Sequence, residues 1–167
     1  MSPGTMVWAA VIVAAGRGVR FGGPKQLIEV GGRPLVSWCI ETFGNLDEIA
    51  EIVIATEPEH MDGMAELAGR YAQNTPSVVV VGGATRQGST RNGIRAVSER
   101  CEAVLVHDGA RPLVTAADVR AGMAAVAPGR GAVLAAPVVD TIKVVPRGTR
   151  TVTQTLDRAD LWAAQTP

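Results

Sequence analysis

The chain alternates short apolar runs with segments in which apolar side chains recur at helical spacing. The runs cover residues 7–14, 50–55, 78–81, 103–106 and 132–136, bounded by Gly, Pro or charged residues. Such runs are typical of strands buried on both faces. Helical spacing is found at Leu35, Trp38, Cys39 and Thr42, at Met61, Met64, Ala65 and Ala68, at Ile94, Val97 and Ser98, and at Val119, Met123 and Val126. This alternation predicts an α/β, Rossmann-like fold: a mostly parallel sheet with helices on both faces.

Two predicted helix starts carry a chemical signature. Pro34 has the fixed backbone angle that suits a first helical turn. Thr115, with Asp118 three residues later, resembles a capping box. We therefore expect helices to begin near these two positions.

The pattern changes in the last part of the chain. Two β-rich runs flank "PRGTR" at residues 146–150, and the apolar periodicity is too weak for another helix that covers the sheet. We interpret residues 137–160 as a protruding β-hairpin arm. The 167 residues have the length of one domain and show no internal repeat, so we expect residues 1–167 to form a single domain that includes the arm.

Charge and composition exclude several kinds of partner. The 16 basic residues are balanced by 16 acidic residues, which argues against nucleic acid or a membrane surface as a partner. The apolar runs are too short to span a bilayer and none resembles a secretory signal, so we expect a cytoplasmic protein. Cys39 and Cys101 lack metal-ligand spacing and are interpreted as reduced thiols.

The most distinctive loop follows the first predicted strand. In "AAGRGVRFGGPKQ", glycines alternate with Arg17, Arg20 and Lys25. The spacing matches neither the dinucleotide fingerprint nor the P-loop, and a surface loop with solvated charges is one interpretation. A glycine-rich turn at the carboxyl end of a strand also lets backbone N–H groups approach a phosphate, and two permanent cations would suit a triphosphate.

Five stretches together resemble a known family. They are "AAGRGVRFGGPKQ", "GGATRQGSTRNGI" at 82–94, "VHDGARP" at 106–112, "APVVDTIK" at 136–143 and "DRADLWAAQTP" at 157–167. In this order they resemble the 2-C-methyl-D-erythritol 4-phosphate cytidylyltransferases of the non-mevalonate isoprenoid pathway. The resemblance implies a nucleotidyltransferase fold and transfer of CMP from CTP to a polyol phosphate, with release of pyrophosphate. It covers almost the whole chain.

The resemblance implies a role for particular residues. Arg20 and Lys25 would be catalytic, stabilising charge on the α-phosphate of CTP. Asp108 would contact both substrates and bind Mg²⁺, which prefers oxygen ligands. CTP-binding positions would be Ala14, Ala15, Gly16, Gly18, Arg20, Lys25, Gly82, Gly83, Ser89 and Asp108. Sugar-phosphate contacts would be Asp108, Arg111, Thr141, Arg158 and Thr166, partly through the arm of a second subunit in a homodimer.

The residues themselves leave simpler interpretations open. Ser89 suits an ordinary helix cap, and Asp108 with Arg111 suits an ion-paired turn at a strand end. His107 is interpreted as structural, because a phosphate nucleophile is already ionised and needs no general base. A hairpin folded back on its own domain is the alternative to a dimer arm, although pairing with a second subunit would cover its exposed strand edges.

The sequence departs from the family in two places. Alanine is usual where Gly109 stands, and family members continue past "QTP" with a segment whose lysine and aspartate contribute to phosphate and metal binding. Three alternative functions therefore stay open. They are a cytidylyltransferase for another polyol phosphate such as ribitol 5-phosphate, a non-catalytic nucleotide-binding domain, and a dinucleotide-dependent oxidoreductase, which the glycine spacing disfavours.

Overall fold

The computed structural model describes residues 6–16, 18 and 22–167. Its strands are β1 Trp8–Ala14, β2 Glu29–Val30, β3 Arg33–Pro34, β4 Ile49–Thr56, β5 Ser77–Val81, β6 Ala103–Asp108, β7 Ala135–Pro137, β8 Lys143–Val144, β9 Gln154–Thr155 and β10 Trp162–Ala164. Its helices are α1 Leu35–Gly44, α2 Met61–Tyr71, α3 Arg86–Arg95 and α4 Ala116–Ala125. Short 3₁₀ turns lie at Lys25–Leu27, Pro58–His60 and Arg158–Asp160.

The centre of the fold is a four-stranded parallel sheet in the order β5-β4-β1-β6. Alternate residues of β1 face opposite sides. Ile12 lies in the core with Phe43 of α1, Met64 of α2 and Val119 of α4. Val11 faces α3, since a Cβ added to Gly93 would come within 2.5 Å of its Cγ1 atom. The parallel sheet with helices on both faces is therefore confirmed.

Three sequence expectations are wrong in detail. The run at 78–81 is not buried on both faces, because β5 is an edge strand whose side chains are exposed or only partly buried. The run at 132–136 is not a buried strand of the parallel sheet, because β7 is exposed and pairs antiparallel with β10. The third helix spans Arg86–Arg95 and ends before Val97. Its sequence is mostly polar, so apolar spacing does not reveal it, and it starts where Thr85 accepts a hydrogen bond from the Gly88 N–H.

The chemical signatures of helix starts are better guides. The Thr115–Asp118 capping box is formed, with each side chain bonded to the other residue's backbone N–H. Pro34 occupies the N-cap of α1 rather than its first turn. No helix within the described residues has the length and apolar character needed to cross a membrane.

The predicted hairpin is formed by β8 and β9. Lys143 pairs with Thr155 and Val144 with Gln154 in an antiparallel register. Most side chains between residues 139 and 160 are exposed, and the exposed apolar residues include Val139 and Val152. The hairpin therefore presents apolar side chains and short strand edges to its surroundings.

Candidate active site

A cleft of about 730 Å³ lies at the carboxyl ends of the parallel strands. Residues that follow all four strands line it, because parallel strands end at the same edge of a sheet. The lining comprises Val13, Ala15, Gly16, Lys25, Glu57, Gly83, Ala84, Thr85, Arg86, Ser89, Asp108, Ala110 and Arg111. The fold thus brings the glycine loop, the "GGATRQGS" turn and "DGAR" together at one site.

The glycine loop is anchored by the side chain of Gln26. This residue is buried, and its Nε2 group donates hydrogen bonds to the carbonyl oxygens of Ala14 (2.6 Å) and Gly16 (3.1 Å). Ala14 is itself buried in the core, so the bonds join the loop to the end of β1. The preceding residue, Lys25, is consequently held at the edge of the cleft.

Two further loop predictions have different outcomes. Gly18 adopts φ +58°, and an added Cβ would lie 1.7 Å from the Gly23 carbonyl oxygen, so this position requires glycine. It does not line the cleft. Arg20, the second predicted catalytic cation, lies outside the described residues, as does Arg17.

The turn after β5 is braced by the hydroxyl group of Ser89. The Gly83 N–H donates to Ser89 Oγ at 3.0 Å, and Oγ donates to the Thr85 carbonyl oxygen at 3.1 Å. Gly82 precedes this turn and bonds to the Thr56 carbonyl. Gly83 and Ser89 line the cleft, whereas Gly82 does not. Ser89 therefore holds the turn in shape and keeps one lone pair for a donor from a ligand.

Asp108 lies between two arginines at the end of β6. Its Oδ1 atom accepts from Arg86 Nε at 2.8 Å, and its Oδ2 atom accepts from Arg111 Nε at 3.3 Å. Sequence reasoning did not single out Arg86. The signal was available, since this arginine lies between Gly83 and Ser89 in the first turn of α3, where a cation reinforces an anion site.

Thr166 lies beside the cleft rather than in its lining. Its hydroxyl oxygen accepts from the Asp108 N–H at 3.3 Å and lies 3.1 Å from His107 Nδ1. The structure thus links the "QTP" segment directly to "VHDGARP".

Thr141 and Arg158 are on the arm, away from the cleft of the same chain. Both are exposed, and Arg158 donates to the Val139 carbonyl oxygen at 2.6 Å. Neither residue is among those that line the cleft. Their predicted contact with a substrate requires an arm that reaches the cleft of another subunit.

The model of the 2-C-methyl-D-erythritol 4-phosphate cytidylyltransferase family matches residues 8–167. The chain belongs to this family.

Relatives and solved structures of the family agree with this. The 2-C-methyl-D-erythritol 4-phosphate cytidylyltransferase of Halalkalibacterium halodurans is 40% identical over 164 residues, which cover 97% of this chain and 71% of the relative. The enzyme of Prochlorococcus marinus is 42% identical over 159 residues, which cover 94% of this chain and 69% of the relative. The crystal structure of 4-diphosphocytidyl-2C-methyl-D-erythritol synthase from Anaerococcus prevotii matches with a TM-score of 0.82 at 28% identity, over 98% of this chain and 70% of that one.

The resemblance to this family implies Mg²⁺ at Asp108, and the residues present fit one kind of Mg²⁺ site. In nucleotide sites Mg²⁺ is held by one or two carboxylates, with phosphate and water oxygens completing its shell. Asp108 meets that description, because its partly exposed carboxylate lines the cleft. Within the described part of the chain, no cluster of three or more His, Cys, Asp or Glu residues is suited to a metal. These donors fit an ion shared with a nucleotide and do not fit an ion held by protein alone.

Proposed function

We propose that this protein transfers CMP from CTP to 2-C-methyl-D-erythritol 4-phosphate, giving 4-diphosphocytidyl-2-C-methyl-D-erythritol and pyrophosphate. The observation that supports this most directly is the cleft itself. It combines a glycine turn with Lys25, Arg86 and Arg111, cations suited to phosphate groups, around the single aspartate of the family motif. Family membership identifies the two substrates.

The reaction is an in-line displacement at the α-phosphorus. An oxygen of the 4-phosphate forms a bond to this phosphorus, and the bond to the β-phosphate bridging oxygen breaks. The nucleophile is ionised at neutral pH, so no side chain has to remove a proton. Lys25, and Arg20 by resemblance, stabilise the charge on the α-phosphate, and the backbone of Ala15 and Gly16 orients the triphosphate.

Asp108 and its two arginines prepare the other side of the cleft. Asp108 would hold a Mg²⁺ ion shared with the nucleotide phosphates, which supplies charge neutralisation when bound. Arg86 and Arg111 would supply donors to phosphate oxygens of the substrates, Arg111 on the side of the sugar phosphate. Both cysteines are free thiols, which agrees with a reaction in the cytoplasm.

Base selection is assigned to the turn after β5. The Gly83 backbone and the Ser89 hydroxyl are fixed relative to each other by their mutual hydrogen bond. Donors and acceptors held in this way select cytosine because a wrong base leaves buried polar groups unpaired.

Gly83→Ala is expected to raise the KM for CTP at least about tenfold with a smaller change in kcat. An added Cβ would lie 2.6 Å from the Gly88 carbonyl carbon and 2.9 Å from the Ser89 nitrogen, so the turn must shift. Gly63→Ala in α2 is the matched control, because its Cβ would meet nothing within 4 Å. An unchanged KM for CTP in Gly83→Ala would remove this turn from the nucleotide site.

We further propose a homodimer in which the arm of each subunit completes the cleft of the other. The exposed apolar side chains of the arm, including Val139 at 78% exposure, support burial against a partner. The exposure of Thr141 and Arg158 away from the cleft of their own chain supports a contact in trans.

Mixing two inactive variants tests the composite site. Lys25→Ala damages the cleft and Arg158→Ala damages the arm, so a mixed dimer contains one site with both residues intact. We expect random mixing to restore up to about a quarter of wild-type turnover. Continued inactivity in dimers shown by mass spectrometry to be mixed would place Arg158 in the site of its own chain.

The assay for the proposed function measures pyrophosphate release from CTP in the presence of Mg²⁺ and methylerythritol 4-phosphate. Parallel reactions contain ribitol 5-phosphate or no acceptor. Mass spectrometry identifies the product. Product with methylerythritol 4-phosphate and little with ribitol 5-phosphate is the expected result. CTP binding without pyrophosphate release in the presence of either acceptor would instead support a nucleotide-binding domain.

A further inference from the structure

His107 is a fully buried polar side chain next to the carboxylate of the cleft. It lies near the end of β6, and its ring packs edge-on against Phe43 with 5.2 Å between the ring centroids. A buried imidazole needs a partner for each nitrogen. Both of its partners belong to segments that shape the sugar-phosphate side of the cleft.

The directions of its hydrogen bonds define one tautomer. Nε2 lies 3.0 Å from the Arg111 carbonyl oxygen, which can only accept, so Nε2 carries the hydrogen. In a neutral ring with its hydrogen on Nε2, Nδ1 is an acceptor, so the Thr166 hydroxyl 3.1 Å away donates to Nδ1 and accepts from the Asp108 N–H. Burial lowers the pKa of His107, which favours the same neutral ring.

The two bonds connect segments that are far apart in sequence. One holds the backbone of Arg111, whose guanidinium group contacts Asp108 and the side chain of Gln165. The other holds Thr166, the residue after Gln165. The rigid imidazole therefore sets the distance between the turn at 108–111 and the segment at 165–167.

We propose that His107 is a positioning residue for the sugar-phosphate half of the reaction, holding Arg111 and Thr166 at the separation that binds the acceptor. It touches no substrate atom and moves no proton. The proposal rests on the proposed function, because Arg111 and Thr166 are the residues assigned there to the acceptor.

Three substitutions distinguish the contributions of the two hydrogen bonds of His107. His107→Phe keeps the ring and its packing against Phe43 but removes both bonds. His107→Gln keeps a donor near the position of Nε2, within reach of the Arg111 carbonyl. His107→Asn keeps an acceptor near the position of Nδ1 for the Thr166 hydroxyl. Met64→Ala, at a buried apolar position in α2, is the control for a general loss of stability.

We expect His107→Phe to raise the KM for methylerythritol 4-phosphate at least about tenfold while the KM for CTP stays within about twofold. His107→Gln and His107→Asn should each restore part of the difference, since each keeps one bond. Met64→Ala should lower the melting temperature without separating the two KM values. A stability loss in His107→Phe without a change in the KM for the acceptor would overturn the proposal.

Wild-type turnover tests the proposed function separately. If the wild type binds both substrates without turnover, the dissociation constant of methylerythritol 4-phosphate measured by calorimetry with CTP present replaces KM. The same ratios between variants are then expected. A wild type that neither turns over nor binds the acceptor would overturn both proposals. Equal affinity of the wild type and of His107→Phe for methylerythritol 4-phosphate would overturn only the positioning role.

Discussion

Lys25→Ala is expected to lower kcat about a hundredfold to a thousandfold and to leave the fold intact. The side chain is exposed at the edge of the cleft, where in the proposed reaction a cation would stabilise charge that grows on the transferring phosphate. An exposed cation contributes little to folding, so the free energy of unfolding should change by about 0.5 kcal/mol or less. Steady-state pyrophosphate release and thermal unfolding measure the two effects.

Two further variants show whether position or only charge matters. Lys25→Arg keeps the charge but changes its shape, and partial recovery of kcat is expected. Arg95→Ala removes an exposed cation from the last turn of α3, and kcat should be unchanged. Near-normal turnover in Lys25→Ala would contradict the role assigned to this lysine.

The position of Lys25 is fixed in part by its neighbour Gln26, which the sequence analysis did not single out. Gln26 is buried because its amide group satisfies two carbonyl groups at the end of β1. In the sequence, a glutamine beside a lysine in a glycine-rich loop is typical of an exposed side chain. Only the folded chain shows which carbonyl groups it contacts. The end of β1 is therefore joined to the segment at 25–26 by a polar anchor that hydrophobic patterns do not reveal.

Sequence patterns predicted the sheet well, because a strand buried on both faces must be continuously apolar. The runs at 7–14 and 50–55 became β1 and β4 with small shifts at their ends. The same rule failed at 132–136, where only the two final alanines enter a strand, and that strand is an exposed antiparallel partner of β10. Apolar composition alone does not distinguish a core strand from a short exposed strand.

The candidate site was predictable where a motif follows a strand end. Asp108 and Arg111 were expected to form an ion pair or bind ligands, and the structure shows the ion pair. Arg86 was missed because its partner is 22 residues away and meets it only through the parallel order of β5, β4, β1 and β6. Thr141 and Arg158 depended wholly on the resemblance, since their exposed positions on the arm suggest no site within one chain.

Asp108→Asn is expected to separate nucleotide binding from turnover. The carboxylate now partners both Arg86 and Arg111, the groups that we propose bind phosphate oxygens of the two substrates. Without a divalent cation the carboxylate competes with phosphate for these arginines and repels it. The neutral amide removes both effects, so CTP should bind the variant more tightly than the wild type in the presence of a chelator.

Turnover should change in the opposite direction. With Mg²⁺ present, we expect the wild-type carboxylate to hold the ion in place of its arginine partners, whereas an amide oxygen is a weaker ligand. We therefore expect kcat to fall at least about a hundredfold in Asp108→Asn, and CTP affinity to lose most of its dependence on Mg²⁺. Calorimetry in chelator and in Mg²⁺, beside pyrophosphate release, measures each effect. Asp62→Asn, an exposed carboxylate in the first turn of α2, is the control.

The signs of these changes distinguish two roles for the aspartate. An aspartate that only orients the arginines would, when neutralised, weaken CTP binding with and without Mg²⁺, because both guanidinium groups would lose their fixed direction. If the aspartate instead exchanges its arginine partners for the ion, its neutralisation would weaken CTP binding only when Mg²⁺ is present. The geometry favours exchange, because each carboxylate oxygen is held by one arginine and the pair is partly exposed at the mouth of the cleft, where an incoming phosphate can reach it.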